Sequence, residues 1–371
     1  MGPSGGDAAD RADIAVIGTG PAGCAAAIAA AAEPGGRSVL LIGPEATPGD
    51  RPGESLSPAG TVELQALGLS ALLDGGVHRP ANAGYAAWGA ALLAQKNAIQ
   101  SLDGPGHVLD RPRFDRDMLD AAARIPAVVR VAERVEAAVR TGDGWSLTLT
   151  DGRVLGARIL IDAGGRGAGI ARRLTRLERA DRLTGVCAFL SDPDPAVDLT
   201  PATLVEAVAA GWWYAALLPD RRLALAYFSD ADLLPHGIGQ GPQELTAGLA
   251  ETTFIRRWLD SAGFRPTGSP VLASAGTTWL ARAAGEDWLA AGDAAAAFDP
   301  LSSHGLTSGL WTGRRAGTAA VAALNGNDRA LTDYADALAR GVAAFLDQRR
   351  RLYGMERRWP DSPFWARRQG R

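Results

Sequence analysis

Two short glycine-bearing segments, near opposite ends of the chain, carry the strongest chemical signal. Gly18-Thr19-Gly20-Pro21-Ala22-Gly23 follows one apolar run, and Gly292-Asp293 follows another. The first has the spacing that holds a dinucleotide pyrophosphate. Gly18 permits a tight turn, Gly20 lets backbone approach phosphate, and Gly23 lets a helix pack closely on a strand. That helix, opening at Pro21 and Ala22, would aim unpaired N–H groups and its positive dipole end at the phosphates. Asp293, at the end of a buried strand, can accept hydrogen bonds from the sugar-alcohol chain of a flavin. Gly-Asp is a common dipeptide and gains its meaning from the residues C-terminal to it: Pro300, Ser303, His304, Gly305 and Leu306, then a helix. The start of that helix would face the pyrimidine edge of the ring, where reduced flavin is negative. A chain with both segments in this order reads as an FAD enzyme whose nucleotide domain is assembled from distant pieces.

The elements needed to position these residues are legible. Asp13 to Ile17 is a short, branched, apolar strand pattern. An alanine-rich helix runs from the glycine motif to about Glu33, and Ser38 to Ile42 is a second strand, completing a βαβ unit. An acid normally ends that second strand and binds the adenosine ribose. Here Gly43-Pro44 intervene, so Glu45 is the candidate. Helices are expected at 60–73, 114–124, 242–259, 305–324 and 331–351. Strands are expected at 128–131, 135–140, 146–150, 159–162, 186–190, 204–209, 212–218, 223–228 and 288–291.

The expected fold class is α/β, with an α+β substrate part. A Rossmann-like FAD-binding domain of the glutathione-reductase-2 type is interleaved with an antiparallel-sheet substrate domain and a helical C-terminus. Residues 1–75, 107–185 and 277–325 are assigned to the FAD-binding domain. Residues 76–106 and 186–276 are assigned to the substrate domain, and 326–371 to the C-terminal helical segment.

Bulk properties exclude several functions. The 371 residues carry a formal net charge of −3, which gives no electrostatic case for nucleic acid or an anionic membrane. The two cysteines, Cys24 and Cys187, read as buried thiols of a reducing cytosol. No apolar signal core precedes the first strand and no apolar run is long enough to span a bilayer, so the expectation is a soluble, cytoplasmic protein. The four histidines, His78, His107, His236 and His304, show no metal-ligand spacing.

The set Gly18–Gly23, Pro52–Leu56, Asp110-Arg111 with Phe114-Asp115, Asp162–Arg166 and Gly292–Gly305 resembles the para-hydroxybenzoate-hydroxylase-type FAD monooxygenases. More narrowly, it resembles the branch of flavin-dependent halogenases and of flavoproteins that mature tryptophan-derived quinone cofactors. Gly211-Trp212-Trp213-Tyr214 and the 357–365 segment also look like the maturases. The resemblance implies that Arg111 contacts the ribityl-pyrophosphate region and that Val135 lies near the adenine. It also implies that Glu54, Ser55 and the 300–305 turn flank the isoalloxazine ring.

Halogenases of that branch carry a W-x-W-x-I-P signature and a catalytic lysine. Here the segment reads Gly-Trp-Trp-Tyr-Ala-Ala-Leu-Leu-Pro, and Lys96, the sole lysine, sits in a polar stretch that suits a surface side chain. The implied chemistry is therefore hydroxylation of an aromatic ring through a flavin C4a-hydroperoxide. The electrons would come from NAD(P)H or a separate flavin reductase, and O2 is the co-substrate. The sharpest substrate is a tryptophan side chain in a partner polypeptide; halogenation and small-molecule hydroxylation are the alternatives. A non-catalytic flavin-binding scaffold is the alternative of another class. His304 is a candidate proton donor or positioning group, or simply a helix-start residue. Glu54 is a candidate base or orienting group, or a brace for its loop. Trp212, Trp213, Tyr214, Tyr227 and Phe228 should alternate between core and pocket. The 349–351 and 357–358 arginines suit a solvated helix face more than a docking patch.

Overall fold

The computed structural model describes residues 11–370 apart from 35–36, 46–48, 82, 98–104, 168, 192–195, 198 and 200. Its first sheet holds five parallel strands in the order Val128–Val131, Val39–Ile42, Arg11–Ile17, Val154–Asp162, Trp288–Ala290. The residues of the inner strands Val39–Ile42, Arg11–Ile17 and Val154–Asp162 that lie at the middle of the sheet are mostly branched, apolar and buried, as befits parallel strands covered on both faces, whereas the outer strand Val128–Val131 exposes Val129. The strand Val154–Asp162 is longer than its sequence suggests. One of its edges pairs first with Gly144–Leu149, the inner strand of the hairpin with Val135–Thr141, and then with Trp288–Ala290, while Arg11–Ile17 pairs along the other edge from Gly156 to Asp162.

Register fixes the site. Ile17 pairs with Asp162, and Asp162 pairs with Ala290. The three turns after these residues therefore leave the sheet side by side, at the carboxyl ends of parallel strands where ligands bind in such folds.

The helices Pro21–Ala32 and Gly305–Leu324 lie against each other at backbone contact. A methyl at Gly313 would stand 2.1 Å from the Ala22 carbonyl oxygen. Small residues on both helices are thus a packing requirement, and they tie the two distant chain segments together.

The second large sheet runs Pro266–Ser274, Leu183–Leu190, Leu223–Asp230, Gly211–Leu217, Ala202–Val208, Ala83–Ala87, Ala94–Asn97. All its pairs are antiparallel except Ala83–Ala87 with Ala202–Val208. One face packs on the helices Pro242–Gly248 and Phe254–Ala262 through Trp213, Tyr227, Leu225 and Leu259. The other turns toward the first sheet and the C-terminal helices.

Three expectations need correction. The 60–73 helix is Pro58–Ala66, opened by the Ser57 cap and closed before Gly68, which has φ +72°. The 242–259 helix is two helices. Its second part restarts at Phe254 because the buried Glu206 carboxylate accepts from the backbone N–H groups of Thr253, Phe254 and Ile255 at 2.6–3.2 Å. Arg349 is not on a solvated face. It is buried in the helix Ala330–Met355 and ion-pairs with Asp181 and with Asp299 (3.2 Å). Arg350 and Arg351 are exposed, as expected of that face. The tail adds a short helix, Pro363–Gln369, whose Phe364 and Trp365 are buried.

Candidate functional site

A cavity of about 460 Å³ opens between the three turns and the second sheet. Of the residues singled out from sequence, Gly20, Pro21, Ala22, Glu54, Ser55, Arg111, Gly292, Asp293, Pro300, Ser303, Gly305 and Leu306 line it. Both ends of the chain thus meet on one chamber. Gly18 and Gly23 support it from behind: a Cβ at Gly23 would lie 1.8 Å from the Gly18 oxygen, while a Cβ at Gly20 would stand in open space. That pattern fits a pyrophosphate cradle, with two glycines required by packing and one leaving room for a ligand. No side chain caps the helix start at Gly20, which keeps its first-turn N–H groups available.

Asp293 keeps 35% of its side-chain surface open to the cavity and ion-pairs with Arg166 at 3.3 Å. Protein crowds its other sides. Burial pushes its carboxyl above the ordinary aspartate range, opposed by Arg166 and Arg111. Arg166 also donates to the carbonyls of Gly276 (2.7 Å) and Phe298 (3.0 Å), joining three segments. Its motif is visible in sequence, but its role is not, because its partners lie more than a hundred residues away. Gly292 donates its N–H to the Thr312 hydroxyl at 2.8 Å, locking this turn to the long helix. Ser303, at φ +53°, holds a left-handed conformation uncommon for a side-chain-bearing residue, at the cavity wall.

Arg111 braces the Pro52–Ser55 loop. It donates to the Gly53 carbonyl at 2.7 Å and is held by Asp115 in the next helical turn. Glu54 is buried and accepts from the Tyr214 hydroxyl at 2.5 Å and from the Gly53 N–H at 3.1 Å. Burial, and then the Glu54 charge, keep the Tyr214 phenol well above its ordinary range, so it stays a hydrogen-bond donor.

Strand alternation sorts the aromatics. Trp212, Tyr214 and Phe228 face the cavity, and Trp213 and Tyr227 lie in the core behind. Trp212 stacks on Phe228 at 4.1 Å between ring centroids. Its indole N–H donates to the Tyr353 hydroxyl (3.1 Å), which donates to the buried Asp299 carboxylate (2.8 Å). Burial raises the Asp299 pKa, with Arg349 pulling against it. Cys187, Ala224, Ala226 and Ala273 complete the wall with small side chains. The single-residue signals for this wall are weak, because alanines carry no chemistry of their own.

Three candidates lie elsewhere. Glu45 is exposed and pairs with Arg130 at 2.8 Å. Val135 begins the outer strand of the hairpin, opposite Leu149. His304 immediately precedes the long helix, its carbonyl accepting from the Ser308 N–H, and its side chain does not cap that helix. None of the three is among the cavity's lining residues. Cys24 and Cys187 are free and buried, their thiols pushed up to about 12 by burial. Among the described residues, no group of His, Cys, Asp and Glu could hold a metal ion, and no helix is long and apolar enough to cross a membrane.

Comparison with known proteins settles the family. The tryptophan halogenase family model matches residues 81–371. The chain belongs to the tryptophan halogenase family. LodB of Marinomonas mediterranea, named as an FAD-dependent oxidoreductase, is 27% identical over 96% of this chain and 96% of its own. A menaquinone reductase of Mycobacterium tuberculosis is 31% identical over 83% of this chain and 76% of its own. Among solved structures, the peptidyl tryptophan dihydroxylase QhpG, essential for tryptophylquinone cofactor biogenesis, superposes with a TM-score of 0.79. It shares 28% identity, covering 97% of this chain and 79% of that one. The chain is an FAD-dependent oxidoreductase with the fold of the flavin-dependent halogenases and hydroxylases.

Proposed function

We propose that this enzyme hydroxylates an aromatic ring, and that the ring is a tryptophan side chain of a partner polypeptide. The observation that carries it is the cavity's composition. One wall holds the glycine-bearing turns at Gly20–Ala22 and Gly292-Asp293, and the stacked Trp212–Phe228 pair lies among alanines on the second sheet. The likeness to QhpG over 97% of this chain supports the polypeptide substrate.

FAD, once reduced, supplies the activation of dioxygen and the transfer of an oxygen atom. NAD(P)H or a separate reductase supplies the electrons. In this reading the segments 1–75, 107–185 and 277–325 bind the cofactor, and 76–106 with 186–276 face the substrate. Gly20 and Ala22 present backbone to the pyrophosphate, Asp293 accepts from the ribityl hydroxyls, and Arg111 and Arg166 keep both loops in place. The apolar wall excludes water and bounds the space left for the substrate ring. The Tyr214 hydroxyl, backed by Glu54 Oε1, relays the proton released when a C–O bond replaces C–H.

The test is mass spectrometry. Reduced holoenzyme is mixed with a tryptophan-containing peptide, bromide and labelled dioxygen. The expected product carries one or two labelled oxygen atoms and no bromine. A brominated product would assign the chain to halogenation, the chemistry for which its family is named, and an unmodified peptide would refute oxidation of peptidyl tryptophan.

A further inference from the structure

Pro266–Ser274 is the outer strand of the second sheet and pairs on one side only, with Leu183–Leu190. Among the described residues no strand covers its other edge. Natural sheets guard such edges with charged side chains, prolines and bulges; here Pro266, Pro270 and the register shift opposite Cys187–Phe189 guard the first part of the strand, and Val271–Ser274 carry no charge. Val271 and Leu272 are each 56% exposed, an adjacent apolar pair on an open edge.

Ala275 donates its N–H to the Leu183 carbonyl at 2.9 Å, toward the neighbouring strand. By the two-residue alternation of an antiparallel ladder, Val271 and Ala273 also bond inward, and the N–H and C=O groups of Leu272 and Ser274 point out. Pro270 belongs to the outward set and lacks an N–H, so the open row begins at Leu272. The row leads into the cavity: Ala273, Ser274 and Ala275 line it. Ala273 pairs with Gly185, and Val271 with Cys187, which also lines the cavity.

We infer that an extended peptide segment of the substrate adds to this edge as a further strand. Such a strand would lie about 4.8 Å outward, bonded through the main chain of Leu272 and Ser274. A side chain opposite Ala273 would then turn to the cavity face, where alanines leave room for an indole. Main-chain bonds give affinity and the cavity selects the aromatic side chain, the division of labour of strand addition. The inference rests on the polypeptide-substrate reading above and names how that substrate docks.

The probe is a blocked pentapeptide with a central tryptophan among valine and threonine residues, added to the FAD-loaded full chain. N-methylation of alternate peptide amides should weaken binding about tenfold, with the intervening amides tolerant. Leu272→Pro, which removes an outward N–H and keeps the inward pairs, should raise KM for the peptide to a similar extent. It should leave kcat and the binding of free indole unchanged; any shift in thermal midpoint from the lost packing of Leu272 on Gly239 should be shared by Leu272→Ala, which keeps the N–H and the parent KM. Peptide oxidation indifferent to both changes would overturn the edge and leave the polypeptide reading standing. Oxidation of free indoles with no peptide bound would overturn both.

Discussion

Replacing Gly20 and Gly23, one at a time, by alanine separates folding from cofactor binding within one motif. At Gly23 the new methyl would lie 1.8 Å from the Gly18 carbonyl oxygen, a backbone atom that cannot rotate away. Overpacking of this kind costs about 1–3 kcal/mol, and here it strains the central strand-turn-helix. At Gly20 nothing lies within 4 Å of the new methyl, which projects into the cavity. Gly20→Ala should therefore leave the urea midpoint close to that of the parent. The methyl takes space meant for the pyrophosphate, and an overlap of about 1–3 kcal/mol converts to about 5- to 140-fold weaker FAD binding. Flavin fluorescence titration and urea unfolding of both variants provide the assay. Gly20→Ala with undiminished FAD affinity would refute the cradle, and Gly23→Ala with undiminished stability would refute the packing argument.

Glu206→Ala should lower stability by about 3 kcal/mol in urea unfolding, because three helix-start N–H groups lose their side-chain acceptor. Tyr353→Phe leaves the buried Trp212 N–H without its acceptor, while Asp299 keeps Arg349. A loss of about 1–3 kcal/mol is expected in the same assay, together with altered Trp212 fluorescence. His78 is held below its ordinary pKa, chiefly by burial, and its Nε2 has no hydrogen-bond partner among the described residues. The folded state thus binds this proton less tightly than the unfolded state. The contribution of His78 to stability is complete above the unfolded pKa of about 6.5 and is lost as pH falls below it. The urea midpoint should drop between pH 7.5 and 5.5, and a His78→Gln variant should show less of that drop.

The βαβ unit and the long helix at 305–324 were legible because their signals are local: a glycine spacing, an apolar run, a stop. The turns at Gly20–Ala22 and Gly292-Asp293, which line the cavity, carry the same kind of local signal. What sequence could not supply is contact between distant segments. Arg166 looks like one arginine among many until Gly276, Phe298 and Asp293 are seen around it. Arg349 follows a solvated-face pattern, yet Asp181 and Asp299 bury it. The break before Phe254 depends on a carboxylate almost fifty residues upstream. Pro266–Ser274 is hidden in the sequence because two prolines and a glycine mask the strand pattern, and on an edge those residues are tolerated. Strand alternation correctly separates Trp212 from Trp213, with Tyr214 and Phe228 joining Trp212 at the cavity.

The central claim is that turns from both ends of the chain grip one flavin facing the aromatic wall. Crystallography of the FAD complex tests it most directly. The expected map shows the pyrophosphate at Gly20–Ala22, the ribityl chain at Asp293, and the ring between the 300–306 turn and the Trp212–Phe228 pair. Flavin density elsewhere, or a ring turned away from that pair, would contradict it.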